Sequence, residues 1–289
     1  MSNVDPARDA AFAGPWRAPV NIAADAQGSI HDDKTARELG LRGGTVAGSI
    51  HMEQFPPLLV RVFGEAWLKR GGLSLYFKHA TTNGERVRCC ASVPTGDGAA
   101  GRARVWMEAE AGQLVCEGTA SVGAPDPASA LRQRLASATP PKELRILKHL
   151  HAGATVSGCP ARIASTALDR HLKVITEPMP GYADAVVFGG RALPANLAID
   201  ALRACEATLT PLTAPSVGLY GAIELNMLDG PIFADRDYLV RGRIVAFGET
   251  PQTEVIWTES VISHGDRDVA SLLLMSRLMK ASSPLWAGS

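Results

Sequence analysis

The chain has 289 residues, in which 29 Lys and Arg balance 29 Asp and Glu. This length can bury a sizeable core, in one large domain or in two of medium size. Because the charges cancel and form no block of one sign, neither a nucleic acid nor an anionic membrane is the expected partner. A small molecule or another protein fits better.

The cysteines and the N-terminus bear on where the protein works. The five cysteines form no C-x-x-C pair, which is typical of reduced thiols packed as small apolar residues in a cytosolic protein. The first thirty residues lack the order of a secretory signal, and no apolar run reaches the ~20 residues that span a membrane. We therefore expect a cytoplasmic protein, with residues 1–14 as a loose tail.

The pattern after Gly28 predicts a short helix, a glycine-rich turn and a long helix. Two aspartates precede the short helix, which Gly40 ends. From Gly48 apolar residues recur at intervals of three and four, and this predicts a buried helix that Pro56 and Pro57 kink or divide. The first backbone N–H groups of such a helix have no intrahelical acceptor and can stabilise negative charge.

Strand-like runs follow this helix, with turn signals between them. Asn83-Gly84 separates the first two runs and predicts a hairpin, and Ala111-Gly112 separates the last two. A helix followed by an antiparallel meander predicts an α+β hot-dog unit, in which a curved antiparallel sheet wraps one central helix. The runs are 73–81, 85–94, 102–110 and 113–122.

The same order of elements then repeats. A linker over 126–158 contains two short helical patches, at 131–135 and 144–150. After Gly189-Gly190, a helical run with Pro194 in its first turn leads into further strand-like runs. These runs are 219–228, 238–247, 252–263 and 268–280.

We therefore predict a tandem, or double, hot-dog fold. Residues 1–125 form the first domain, 126–158 the linker and 159–289 a degenerate second domain, with 187–189 equivalent to 46–48. The two sheets are expected to join edge to edge, because an exposed edge strand invites association. The chain is then a pseudo-dimer, and whether it also forms a homodimer is left open.

Residues 20–125 resemble the MaoC-like hydratases and dehydratases, a branch of the hot-dog superfamily that acts on acyl thioesters of coenzyme A or acyl carrier protein. The second half resembles only the general hot-dog unit, and its Phe188-Gly189-Gly190 is also similar to double hot-dog acyl-CoA thioesterases. The first resemblance rests on Ile30-His31-Asp32-Asp33, Ala36, Gly40 and Val46-Ala47-Gly48, in the order and approximate spacing of the family's N-P-x-H-x-D and I-x-H-G motifs.

The resemblance implies that a histidine and an aspartate hold and activate a water, while a glycine N–H binds the thioester oxygen. His31 and Gly48 match two of these positions. The family's aspartate lies five residues before its histidine, where this chain has Ala26, and the nearest acid is Asp25. The family's second histidine is Ala47 here.

Hydration of an enoyl thioester needs a base for water, an acid for the α-carbon, and donors for the enolate oxygen. Imidazole titrates near neutrality, so His31 suits either proton-transfer role. The expected contributors are His31 and Asp25 as the catalytic pair, Gly48 as the oxyanion donor, and Ser29, Ser49 and His51 at the substrate, with His51 as the reserve catalytic histidine.

Each of these residues also has an ordinary structural interpretation. His31 can be a structural or solvent-facing histidine, Asp25 a solvated loop acid, and Gly48 a plain turn. Asp33 is expected to cap the short helix. His171 stands eighteen positions before Gly189 without the motif around it, as expected of a half that lost the chemistry and widened the acyl tunnel.

We predict a hydratase or dehydratase that adds or removes water beside a thioester carbonyl, with the acyl group bound between the halves. Neither a metal nor a redox cofactor is expected, because His149 and His151 lack further ligands at a suitable spacing. One alternative is thioester hydrolysis in the same pocket. The other is a non-catalytic acyl-thioester-binding protein, suggested by Ala26 and Ala47 at motif positions.

Overall fold

The computed structural model describes residues 12–96 and 100–287. The strands are β1 (Phe12–Ala13), β2 (Gly71–Phe77), β3 (Val87–Ala91), β4 (Arg102–Ala109), β5 (Leu114–Val122), β6 (Thr155–Ala161), β7 (Gly218–Met227), β8 (Tyr238–Glu249), β9 (Thr253–His264) and β10 (Arg267–Met279). The α-helices are α1 (Asp33–Glu38), α2 (Gly48–Met52), α3 (Pro56–Phe63), α4 (Trp67–Arg70), α5 (Ala130–Ala136), α6 (Ser165–Leu172), α7 (Pro180–Ala183), α8 (Ala195–Leu202) and α9 (Glu206–Leu209). Short 3-10 turns at Lys280–Ser282 and Pro284–Trp286 follow β10.

The strands form one sheet in the order β1-β3-β4-β5-β2-β7-β10-β9-β8-β6. All neighbouring pairs in it are antiparallel. The first five strands, read from the left edge inward, correspond in chain order to the last five, read from the right edge inward. β1 thus corresponds to β6 at the two edges, and β2 to β7 at the centre. The sheet is therefore two five-stranded units joined at one seam.

The seam is the pairing of β2 with β7, where Leu73 lies opposite Leu225 and Ser74 opposite Glu224. Each strand would otherwise present an open edge of backbone N–H and C=O groups. The second unit covers the edge of the first, as the repeated pattern predicts. With helices packed against each unit, this is the predicted tandem hot-dog arrangement.

The two faces of the sheet bury different partners, as alternation along β10 shows. Leu272 and Leu274 belong to the large core that contains the central helices α2, α3 and α8. Leu273 and Met275 point to the other face and pack with Leu131 of α5. The first helical patch of the linker is thus a helix, and it covers the outer face beside the seam.

The predicted long helix of the first half is divided by its prolines, as expected. α2 ends at Met52, and α3 begins at Pro56, where a missing N–H costs little because the first helical amides have no intrahelical acceptor. In the second half α8 begins at Ala195. Pro194 is its N-cap residue and does not lie in its first turn.

The hairpin predicted at Asn83-Gly84 is wrong, although a turn does form there. Gly84 has a φ of +85°, and Glu85 N–H donates to the Thr82 carbonyl at 3.2 Å. The strands on either side do not pair, because β2 lies between β5 and β7 while β3 lies between β1 and β4. Before this turn, the chain pairs with the segment that leads into α2, through a bridge between Thr45 and Thr82.

Two termini of the predicted domains also differ from expectation. Phe12 and Ala13, placed in a loose tail by the sequence, pair with β3, and residues 1–11 of that tail lie outside the described residues. β6 begins at Thr155 and pairs with β8, so the predicted domain start at 159 falls inside a strand. This strand escaped the pattern because it contains Gly158 and Pro160 and is largely exposed.

The second predicted patch of helix in the linker, 144–150, is wrong as well. Its backbone amides bind a buried carboxylate instead of forming helical hydrogen bonds. Glu254 of β9 is fully buried and accepts from the N–H groups of Arg145, Ile146 and Leu147 at 2.8–2.9 Å. The indole N–H of Trp286 is a fourth donor to Glu254, at 2.7 Å.

All five cysteines are free, as predicted.

Candidate active site

His31 lies at the end of a turn-rich loop and is held from three sides. Asn21 donates to its carbonyl at 2.8 Å, and its own N–H donates to Ser29 Oγ at 3.1 Å. Its ring nitrogen Nδ1 lies 2.7 Å from the Thr45 carbonyl oxygen. Because a carbonyl only accepts, Nδ1 carries the proton in the neutral ring and Nε2 keeps its lone pair. The half-buried imidazole is therefore oriented with a free basic nitrogen.

The predicted partner Asp25 does not reach this ring. Asp25 is exposed, and among the described residues no hydrogen bond or ion pair joins it to His31. Its backbone carbonyl accepts from Gln27 N–H at 2.9 Å. Ser29, predicted to lie at the substrate, shapes the same loop by donating to the Ala26 carbonyl at 2.6 Å. The carbonyl of Thr45 therefore orients the imidazole where the prediction had a carboxylate.

The cap of α1 is Asp32, so the prediction that Asp33 caps this helix is wrong. Asp32 is the N-cap of α1 and accepts from Thr35 N–H at 2.9 Å. Hydrogen bonds from Thr35 lower the pKa of Asp32 from 3.8 to about 2. Asp33, the predicted cap, accepts from Gly44 N–H at 2.7 Å and so ties α1 to the glycine-rich turn. Both residues therefore support the loop.

The start of α2 lies just beyond the carbonyl that holds His31. Val46 N–H donates to the Thr81 carbonyl at 2.9 Å, and Ala47 is the N-cap. Among the described residues no acceptor receives the N–H of Gly48. A Cβ on Gly48 would lie 2.7 Å from the ring of Phe77, so a side chain at this position would have to displace that ring. The His31 imidazole and the unpaired N–H of Gly48 thus lie on neighbouring segments.

Ser49 and His51 point into the protein. Ser49 Oγ accepts from Asn196 of α8 at 2.8 Å. His51 Nε2 lies 2.8 Å from Thr81 Oγ1, and its Nδ1 is buried without a partner among the described residues. Burial lowers the pKa of His51 from 6.5 to about 4. Both side chains belong to packed contacts, and neither lies on the loop that carries His31.

A buried pair that the sequence did not reveal joins the two halves. His171 of α6 is 2.8 Å from the carboxylate of Glu53, which follows α2, and both side chains are at most 5% exposed. Burial raises the pKa of Glu53, and hydrogen bonds from the His171 side chain and from the backbone N–H of Asn196 oppose that rise. The available signal was a single acid inside the apolar run after Gly48.

An apolar cavity of about 350 Å³ lies between the halves. Its lining comes from α2–α4 and β2 in the first half, and from the segment 179–195 and β7 in the second half. His31, Asp25 and Gly48 are not among its lining residues. Its wall includes Met52, Trp67, Leu73, Tyr182, Leu193 and Leu225.

The two halves repeat the site's backbone geometry closely enough to assign equivalent positions. Thr45 N–H donates to the Ile30 carbonyl at 2.9 Å, as Ala192 N–H does to the Gly181 carbonyl at 2.8 Å. The helices α2 and α8 both begin three residues after these donors. The residue after Ile30 is His31, and the residue after Gly181 is Tyr182.

This equivalence corrects the predicted match between the halves. The position equivalent to Gly48 is Ala195, whereas the sequence had suggested Gly189. Ser49 and Asn196 are then equivalent residues that bind each other, so the pseudo-twofold axis passes between α2 and α8. His171, which has nearly the same spacing from Gly189 as His31 has from Gly48, lies on α6 and not at the position equivalent to His31.

Two broader features of the described residues bear on the chemistry available. No cluster of three or more His, Cys, Asp or Glu side chains there is arranged to hold a metal ion. None of the helices in 12–96 and 100–287 has the length and apolar composition to cross a membrane.

Comparison by sequence finds no matching family model and no matching curated protein. Solved structures match over nearly the whole chain. A protein of Chloroflexus aurantiacus assigned to the MaoC domain dehydratases has a TM-score of 0.61 at 14% identity, covering 96% of this chain and 99% of its own.

Two further structures agree. A conserved hypothetical protein of Mycobacterium tuberculosis with a double hot-dog fold has a TM-score of 0.61 at 15% identity, over 91% of this chain and 93% of its own. A MaoC-like dehydratase has a TM-score of 0.54 at 12% identity, over 93% and 98%. The chain has the double hot-dog fold, and the predicted resemblance to MaoC-like dehydratases is confirmed at the level of the fold.

Proposed function

We propose that this protein is a hydratase or dehydratase of acyl thioesters, with His31 as its acid and base. The observation that carries the proposal is the 2.7 Å contact between His31 Nδ1 and the Thr45 carbonyl. It leaves Nε2 as the basic nitrogen of a ring that is held by Thr45, which lies three residues before the start of α2. The double hot-dog fold shared with MaoC-like dehydratases supports the same assignment.

The reaction needs one proton shuttle and one set of donors. In the hydration direction, Nε2 of His31 takes a proton from water, and the resulting hydroxide adds to the β-carbon of the enoyl thioester. The C=C electrons move toward the carbonyl, and the N–H groups at the start of α2 stabilise the enolate oxygen. The imidazolium then returns the proton to the α-carbon, so that one water is added overall.

The double hot-dog fold shared with MaoC-like dehydratases supports an acyl thioester as the proposed substrate class. An acyl group carried by coenzyme A or an acyl carrier protein presents its carbonyl to Gly48 and its double bond to His31. The proposed reaction includes no redox step. The free thiols of the five cysteines support a reducing compartment, and we assign the protein to the cytoplasm.

The test uses crotonyl-CoA and the full chain. Hydration removes the enone absorbance without releasing free thiol, whereas hydrolysis releases thiol and leaves the enone. Thiol release without loss of the enone would refute the proposal and identify the protein as a thioesterase. No change in either signal would leave an acyl-thioester-binding protein, with direct binding of crotonyl-CoA as the readout.

A matched pair of variants tests the residue assignment. His31→Asn keeps a donor for the Thr45 carbonyl but removes Nε2, and we expect it to lower kcat at least ~10²-fold. Asp25→Asn should leave kcat within ~3-fold of the wild type, because Asp25 does not reach the imidazole. A hydratase that tolerates His31→Asn would refute the assignment of His31.

A further inference from the structure

A second pocket, of about 240 Å³, lies on the outer face of the sheet beside α5. Its floor is a row of directly opposite residues on three neighbouring strands, Trp106 of β4, Glu117 of β5 and Tyr76 of β2. Arg134 of α5 and Arg104 of β4 line it as well. The pocket is therefore built from two layers of the fold, the sheet and the helix that covers it.

The indole N–H of Trp106 is a buried donor without an acceptor. Val105 and Met107 belong to the large core on the inner face, so the Trp106 side chain between them lies on the outer face, at the pocket wall. Trp106 is 2% exposed, and no group among the described residues accepts from its Nε1. Because buried donors in folded proteins are nearly always paired, a group bound in the pocket is the natural acceptor.

Positive charge around Tyr76 is not balanced by carboxylates. The guanidinium of Arg134 stacks on the Tyr76 ring, 3.7 Å from its centroid. The guanidinium of Arg277 lies 5.4 Å from the same centroid and donates to the hydroxyl at 2.7 Å. Neither guanidinium forms an ion pair with any residue that the structure describes. The acid that lines the pocket, Glu117, is already paired with Lys78 at 2.8 Å, so the excess positive charge attracts an anion.

The donors and the charge favour a phosphate group. Guanidinium and indole N–H groups only donate, so the ligand has to present several acceptor oxygens. A phosphate dianion would balance both unpaired guanidiniums, whereas a single carboxylate would balance one.

The size of the pocket admits a free phosphate or a small phosphomonoester. An apolar cavity of ~150 Å³ holds benzene, and at the same density a space of 240 Å³ holds roughly ten heavy atoms. The Gln133 and Arg134 side chains at its rim are exposed and can move to admit a ligand.

We propose that this outer-face pocket binds a phosphate group, whose oxygens accept from the Trp106 indole N–H and from the Arg134 guanidinium. Phe77, the residue after Tyr76 in β2, points to the inner face and packs on Gly48. The pocket and the start of α2 thus lie on opposite faces of the sheet. The inference does not depend on the proposed reaction.

The test is titration of the isotope-labelled full chain with inorganic phosphate at pH 7.5. The indole N–H signals of the five tryptophans are followed by NMR, and Trp106→Phe assigns the Trp106 signal by removing it. This signal should move downfield and saturate as the hydrogen bond forms. Sodium chloride at the same ionic strength should produce no saturable shift.

Calorimetric titration then measures the affinity of variants for phosphate. Arg134→Gln should weaken binding at least ~10-fold, because it removes a charged donor. Arg86→Gln makes the same change at an exposed arginine outside the pocket, which pairs with Glu110 at 2.7 Å, and should leave the affinity unchanged. Trp106→Phe should weaken binding about 3- to 10-fold, while circular dichroism shows a folded protein.

Other anions define the ligand class. Acetate, a monoanion, should bind at least ~10-fold more weakly than phosphate. Tighter binding of glycerol 3-phosphate than of phosphate would identify a phosphomonoester as the ligand, and the reverse order would identify free phosphate.

Each opposite result overturns the proposal. A Trp106 signal that does not respond to phosphate, or wild-type affinity in folded Trp106→Phe, would show that the indole is not a donor. Equal affinity of Arg134→Gln and wild type, or an equal loss in Arg86→Gln, would place the anion elsewhere. Acetate binding as tight as that of phosphate would refute the ligand class.

Discussion

The buried imidazole of His51 makes the stability of the fold depend on pH. Burial lowers its pKa to about 4 in the folded protein, from 6.5 for an unperturbed histidine. As pH falls below 6.5, the unfolded chain takes up a proton that the folded protein does not. Stability is therefore lost between about pH 6.5 and pH 4, and no further loss comes from this group below pH 4.

The size of the loss follows from the two pKa values. At pH 4.5 the unfolded histidine is about 99% protonated and the folded one about 25%, so the difference amounts to about 2.5 kcal/mol. This is a large part of the 5–15 kcal/mol that holds a typical domain folded. At pH 7.5 the same term is near zero.

The assay is urea unfolding at pH 7.5 and pH 4.5, followed by tryptophan fluorescence. Carboxylates also contribute to acid unfolding, so the quantity compared is the difference between wild type and a variant. His51→Gln keeps a polar atom for Thr81 Oγ1 but cannot titrate. It should lose about 1 kcal/mol at pH 7.5 and then lose about 2.5 kcal/mol less than the wild type on acidification.

A second variant separates titration from hydrogen bonding. Thr81→Val removes the partner of His51 Nε2 and leaves the imidazole buried. It should be less stable than the wild type at both pH values, with the same dependence on pH. If His51→Gln retains the wild-type dependence, burial of the imidazole is not the source of the acid sensitivity.

Three further changes probe the packing around the site, each measured by urea unfolding at pH 7.5. Glu254→Leu removes the acceptor of three backbone amides and an indole N–H, and should cost at least about 3 kcal/mol; a loss below 1 kcal/mol would contradict this. Gly48→Ala places a methyl group 2.7 Å from the Phe77 ring and should cost about 1–3 kcal/mol, most of which Phe77→Leu should restore in the double variant. His171→Leu leaves Glu53 buried without its partner and should cost about 3–5 kcal/mol, whereas removing both groups should cost less than the sum of the single changes.

Local signals in the sequence located most of the elements because their causes are local. Ala111-Gly112 closes a tight hairpin as predicted, and Gly112 has the positive φ that the turn requires. Asn83-Gly84 carries an equally strong turn signal, yet its flanking strands separate. Which strands become neighbours depends on pairing across the whole sheet, and a dipeptide does not encode that choice.

The candidate site divides in the same way. The motif around His31 predicted its place before the central helix, because a loop and the helix it precedes are close in sequence. Asp25 could not be assigned in this manner, since a turn of the loop decides where its side chain points. The pair of Glu53 and His171 joins residues 118 positions apart, and no spacing rule connects them.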